Sequence, residues 1–245
     1  MRNARVAALA AVLAVGSTMA LAENAPAPAP KRSAQAPAQQ PRPPVAIVPP
    51  AIAQAPKTGE PGTFDEKQKA LVAKVSSYLS SVQTLVGDFV QVGPDGRRTE
   101  GQFFIQKPGK VRFEYNPPSP VEVIADGKSV VVRDRNLATQ QLVPLSQTPL
   151  RFLLADKIDL MRDTNVVAVS ADDTFVTIVI EESSTLVGTS RLMMMVGAKD
   201  YQLRQWTVTD PQGYDTTVAV YNLDTTKKPD PDLFTIPIQE RPDPR

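Results

Sequence analysis

The stretch from Arg98 to Asp134 reads RTEGQFFIQKPGKVRFEYNPPSPVEVIADGKSVVVRD. Four short apolar runs are separated by turn signals at Lys107-Pro108-Gly109, at Asn116 to Pro120 and at Asp126-Gly127. Successive side chains of a strand face opposite sides, so Val111, Phe113 and Tyr115 share one face and Lys110, Arg112 and Glu114 the other. A meander with one apolar and one wet face needs cover for its apolar side.

The cover is sought on either side of the meander. Upstream, Leu71, Val75, Tyr78, Leu79 and Val82 recur at helical spacing, which predicts an amphipathic helix over about 65–81, with Thr63 and Glu66 as its capping box. Val86 to Val92 is a strand, closed by the turn residues Gly93 to Gly96. Downstream come a short strand at Gln140 to Pro144 and, started by Thr148-Pro149, an apolar helix over Leu150 to Leu154. Ile158 to Thr164 carries no decisive pattern.

The second half is strand after strand: Asn165 to Ser170, Thr174 to Glu181, Arg191 to Val196, Leu203 to Thr209 and Tyr214 to Asn222. Turn chemistry marks the boundaries at Asp172-Asp173, Gly188, Gly197 to Asp200 and Asp210 to Gly213. Asp232-Leu233-Phe234 can close one helical turn, with Thr235-Ile236-Pro237 packing back. Short strands without long intervening helices predict a mainly β protein with short helices, in which a single antiparallel sheet curves into an unclosed β-barrel under a helical lid. Several strands are apolar on both faces, and Met193-Met194-Met195 suits either a filled core or a lining that accepts variable chains.

Composition narrows the function. Met1 to Ala22 has a basic start at Arg2 and Arg5, an Ala/Val/Leu run, and Ala20-Leu21-Ala22 as a cleavage site, the pattern of a secretory signal peptide. Residues 23–62 are rich in Ala, Pro and Gln, with proline at 26, 28, 30, 37, 41, 43, 44, 49, 50, 56 and 61, a linker composition that cannot build a core. The folded domain is expected at 63–238, followed by a flexible tail at 239–245. No cysteine occurs among the 245 residues, so there is neither a disulfide, nor a thiolate nucleophile, nor a site for a lipid anchor after the signal peptide. Histidine is also absent, which removes the commonest general base and transition-metal ligand. The net charge of +1 becomes −1 once Arg2 and Arg5 leave with the signal peptide, so nothing favours a nucleic-acid partner. The carboxylate pairs Asp172-Asp173 and Glu181-Glu182 are adjacent in sequence, the first in a turn and the second on opposite faces of a strand, so neither makes an acid/base dyad. Neither an enzyme nor a metal or cofactor site is indicated.

The order of these motifs carries a resemblance. The helix with Leu71, Val75 and Tyr78 is followed by Asp88 to Gln91, Gly101 to Tyr115, Ile124 to Lys128, Thr148-Pro149-Leu150 and Phe234 to Pro237. Over about 65–237 the chain resembles the periplasmic outer-membrane lipoprotein carriers of the LolA type. The resemblance implies an unclosed β-barrel with a helical lid, acting as a monomeric periplasmic chaperone. Its cargo would be triacylated lipoproteins, received from an inner-membrane ATP-driven exporter and passed to an outer-membrane acceptor. A free-lipid carrier or a lipoprotein-sensing regulatory module on the same scaffold is the alternative. Each buried methylene is worth about 0.8 kcal/mol, so acyl chains cannot cross water uncovered. The residues expected to contact them are Phe103, Ile105, Val111, Phe113 and Tyr115 in the meander, with Val123, Val130 and Val132 beyond it. Leu150, Leu153 and Leu154 of the short helix join them, with Met193, Met195 and Trp206 in the second half. Members of the family place an arginine before the proline of the 107–109 turn as a lid latch; here it is Lys107, either a latch with point-charge donors or a solvated turn lysine.

Overall fold

The computed structural model describes residues 64–184 and 188–236. The expected signal peptide at 1–22, the Pro-rich linker at 23–62, the tail at 239–245, Thr63 and Pro237 lie outside them.

Helix α1 spans Glu66–Ser81. Its N-cap is Asp65, whose Oδ1 accepts from Gln68 N at 2.7 Å while Gln68 Oε1 accepts from Asp65 N at 3.0 Å. This is a capping box two residues beyond the expected Thr63–Glu66 pair. Val72, Val75 and Leu79 form the buried stripe. Six strands follow, β1 Thr84–Val92, β2 Arg98–Gln106, β3 Lys110–Tyr115, β4 Val121–Asp126, β5 Ser129–Asp134 and β6 Thr139–Pro144. The quoted stretch therefore supplies four neighbouring strands, one per apolar run. After a 3-10 turn at Leu145–Gln147 come helices α2, Leu150–Leu154, and α3, Leu160–Asp163. The second half contributes β7 Val166–Ala171, β8 Phe175–Ser184, β9 Gly188–Gly197, β10 Leu203–Thr209 and β11 Asp215–Asp224. A last 3-10 turn covers Pro231–Phe234.

All eleven strands form one antiparallel sheet, ordered β6-β5-β4-β3-β2-β1-β11-β10-β9-β8-β7. The first and last strands of the chain's sheet order, β6 and β7, do not pair with each other, so the barrel stays unclosed. Curvature follows from the core. Val130 and Val132 of β5 belong to the same hydrophobic cluster as Val166 and Val169 of β7. In a flat sheet those strands, nine steps apart, would lie roughly 43 Å from each other at the usual strand spacing. The sheet wraps so that one face becomes an interior, and α1, α2 and α3 sit over it.

Two glycines permit the tight pairing of the meander. A Cβ on Gly101 would stand 1.9 Å from the Glu114 carbonyl oxygen of β3. Gly109 has φ +76°, and a Cβ there would meet Gly127 Cα of the next turn at 2.7 Å. The outer face of β3 and β4 is covered by the 231–234 turn, whose Phe234 is buried. Arg112, on that outer face, donates to the Leu233 carbonyl at 3.2 Å and pairs with Glu122, which also pairs with Arg133.

Candidate functional site

The interior face is centred on Phe113. Its ring stacks on Phe103 of β2, with centroids 5.9 Å apart and planes 29° apart. Phe89 of β1 meets it edge-on at 5.2 Å, and Trp206 of β10 lies 6.3 Å away. Phe89 also contacts the Tyr115 ring at 5.0 Å. The Tyr115 hydroxyl donates to Gln91 Oε1 at 2.7 Å, and burial pushes its pKa up.

Of the residues expected to contact acyl chains, Phe103, Ile105, Val111, Phe113, Tyr115, Val123, Val130, Val132, Leu150, Leu153, Leu154 and Trp206 all join this one cluster. Met193 and Met195 do not. On β9 it is Leu192, Met194 and Val196 that point inward, and alternation sends Met193 and Met195 to the other face. There Met195 lies against Gln205, whose Nε2 approaches its sulfur at 3.7 Å. Pairing sets the phase, because Met194 stands opposite Trp206 across β9 and β10. Phe89, Phe152, Leu160 and the α1 stripe, none of them among the expected acyl-contact residues, complete the face.

The helices over this face are fastened at few polar points. The β2–β3 turn touches two of them. Lys107 Nζ donates to the Leu79 carbonyl near the end of α1, and Gly109 N donates to the Leu154 carbonyl at 2.9 Å, at the end of α2. Lys107 is thus not a solvated turn residue; it is 9% exposed. Burial lowers its pKa from the usual lysine value to about 8, with Asp156 pulling weakly the other way. On the far side, Arg151 of α2 pairs with Glu182 of β8 at 2.6 Å. Helix α2 therefore bridges the two halves of the open barrel.

The neighbouring segment is stitched to α1. Ser76 Oγ donates to the Val72 carbonyl and accepts from Leu160 N at 3.1 Å, while Ser80 Oγ accepts from Ile158 N at 3.0 Å. Asp159 caps α3 by accepting from Met161 N and Arg162 N. These contacts order the 158–164 stretch whose sequence is undecided. Gln68 Nε2 donates to the Val169 carbonyl, tying the start of α1 to β7.

Three of the four paired carboxylates have structural partners. Asp172 Oδ1 accepts from the backbone N–H groups of Thr174 and Phe175, Glu181 pairs with Arg191, and Glu182 with Arg151. Among the described residues no three His, Cys, Asp or Glu side chains gather as a metal site. None of their helices is long and apolar enough to cross a membrane.

The chain thus presents an unclosed barrel with a largely apolar interior and short helices across its mouth. The family model "Outer membrane lipoprotein carrier protein LolA" matches residues 80–237, and the chain belongs to that family. Among curated relatives, it is 38% identical over 74 residues to an outer-membrane lipoprotein carrier protein of Chromobacterium violaceum. That alignment covers 29% of this chain and 36% of the relative. It is 28% identical over 92 residues to the uncharacterized protein RP864 of Rickettsia prowazekii, covering 38% of this chain and 43% of that one. The chain thus spans less than half the length of these relatives. A crystal structure of a DUF1329 family protein from Desulfovibrio piger superposes at a TM-score of 0.43 and 10% identity, over 71% of this chain and 98% of that one.

Proposed function

We propose that this protein is a periplasmic carrier that takes the acyl chains of lipoproteins onto the inner face of its barrel and moves them from the inner to the outer membrane. The observation that carries the reading is the continuous apolar cluster running from β5 to β7, closed by helices held at a handful of polar contacts. The polar fastenings of the cover together cost only a few kcal/mol to break, since each hydrogen bond or part-exposed ion pair contributes about 1 kcal/mol, and a bound alkyl chain can offset the apolar burial that is lost. Family membership and the carriers among its relatives support the cargo class.

The rest of the cycle follows from the same reading. The Met1 to Ala22 signal peptide exports the chain, and the lack of cysteine leaves it without a lipid anchor of its own. An ATP-driven exporter in the inner membrane loads it and an outer-membrane acceptor unloads it. Lys107 acts as the latch, through its bond to the Leu79 carbonyl. Carriage breaks no bond, and no residue is assigned a catalytic role.

A photo-crosslinking residue at Val111 or Phe113 tests this in cells. Capture of acylated lipoproteins is expected, and capture of none refutes the proposal. Mass spectrometry of the protein purified from periplasm separates cargo classes: a stoichiometric phospholipid or glycolipid without lipoprotein would assign the barrel to free-lipid transport instead.

A further inference from the structure

Within the apolar interior, one polar donor is left unanswered. Trp206 is the chain's one tryptophan, and it is 2% exposed. It stands between Met194 of β9 and Val218 of β11 in the sheet register, with Phe113 as its aromatic neighbour. Its Nε1–H is buried without a hydrogen-bond partner among the described residues. Several other polar groups around this interior are answered. The Tyr115 hydroxyl donates to Gln91, Ser76 is bonded twice, Lys107 reaches the Leu79 carbonyl, and Thr148 Oγ1 donates to the Leu145 carbonyl.

An indole N–H can only donate, and a buried donor without an acceptor is a standing cost to the closed form. The acceptor that fits comes with a ligand. Its neighbours Phe113, Met194 and Val218 are apolar, and a carboxylate or phosphate buried among them would need a cation beside it. A neutral carbonyl on an otherwise apolar molecule meets both conditions.

We propose that Trp206 Nε1–H is the polar recognition point of the interior, donating to the ester carbonyl oxygen of a bound acyl chain. The protein thereby selects fatty-acyl esters over hydrocarbon chains of equal length that lack the carbonyl. This inference rests on the carrier reading above and adds a chemical criterion to it.

The test uses the full chain with 15N-labelled tryptophan, which gives a single indole N–H signal. The probes are a matched pair, glycerol monodecanoate and its 1-O-decyl ether. The ester should bind about five- to tenfold more tightly, the return from satisfying one buried donor, and should move the indole proton downfield while the ether does not. Trp206→Phe should bind the two probes equally, losing the preference for the ester whatever its affinity for the ether. Equal affinities in the wild type, or an indole proton unmoved by bound ester, would overturn the proposal while leaving an apolar-ligand carrier in place. Failure of both probes to bind would overturn the carrier reading and this one together. Because the proton shift is read on the unaltered chain, it decides the matter even where Trp206→Phe does not fold.

Discussion

Lys107 gives the protein a pH dependence that can be worked out in advance. Its ammonium is buried at the junction of the β2–β3 turn and α1, and its pKa falls to about 8 in the folded state. In the unfolded chain a lysine titrates near 10.4. Between these values the unfolded state holds a proton that the folded state lacks, so stability rises with pH across that window. Below pH 8 both states are protonated and the slope vanishes. Integrated from pH 7 to pH 9, the gain is about 1.3 kcal/mol, or roughly 0.5 M in urea midpoint at a typical slope. No histidine or cysteine titrates in this window, because the chain has neither. The α-amino group also titrates there, and Lys107→Met keeps that amine while removing the buried one. Urea unfolding followed by the fluorescence of Trp206 at pH 7 and pH 9 measures both chains. The wild type should gain and Lys107→Met should stay level, as should Lys107→Arg, which remains charged throughout. A wild-type midpoint that does not move, or an equal rise in Lys107→Met, would show that the lysine is not buried as described. If the same bond is the latch, the apparent affinity for an apolar probe should fall about tenfold over the same two units as the closed form gains.

Phe89→Ala removes a fully buried ring that meets both Phe113 and Tyr115, and should cost about 3–5 kcal/mol in urea unfolding. Gly101→Ala should prevent β2 and β3 from pairing in register, seen as insoluble protein or loss of near-ultraviolet dichroism, because its Cβ has no room beside the Glu114 carbonyl. Gly213→Ala is the contrast: nothing lies within 4 Å of its Cβ, and only the strain at φ +88° remains, about 1 kcal/mol. Glu182→Gln cuts the bridge from α2 to β8. With side chains 31% and 37% exposed, the pair should contribute about 0.2–1 kcal/mol to stability. The same variant should speed probe release, and the difference from wild type should shrink in high salt.

The parts of the fold that were legible are those where one face is apolar and the other is not. Lys110 to Tyr115 alternates without exception, so its inward set could be named from sequence. Leu192 to Val196 is apolar at every position and has no phase of its own; opposing Met194 to Trp206 in the sheet sets it, which is why Met193 and Met195 face outward. Phe89 is hidden for the opposite reason. Its inward neighbours on β1 are Gly87, where a Cβ would sit 2.9 Å from the Phe103 ring, and Gln91, which receives the Tyr115 hydroxyl. Neither looks like core in sequence. The cap of α1 is expected at Thr63–Glu66 and found at Asp65–Gln68, because both pairs have the spacing of a capping box. The environment of Lys107 depends on a bond to a carbonyl 28 residues away, which no local pattern reports.

The size of α2 bears on how such a protein would both hold and release its cargo. Leu150, Phe152, Leu153 and Leu154 are all buried, and four such side chains represent on the order of 10 kcal/mol of apolar burial. A sixteen-carbon acyl chain, at about 0.8 kcal/mol per methylene, represents a similar amount. Exchange of the helix for a chain on the interior face is therefore close to balanced in the apolar part. Small polar contacts can then set the direction: the Gly109–Leu154 bond, the Arg151–Glu182 pair and the Lys107–Leu79 bond on the closed side, and the Trp206 donor on the loaded side. A longer lid would bury more than the ligand returns and keep the barrel shut, while a shorter one would leave the interior wet. Two added alanines at the end of α2, each bringing little apolar area, should alter loading far less than Phe152→Ala, which removes the lid's largest buried side chain and should favour the open form.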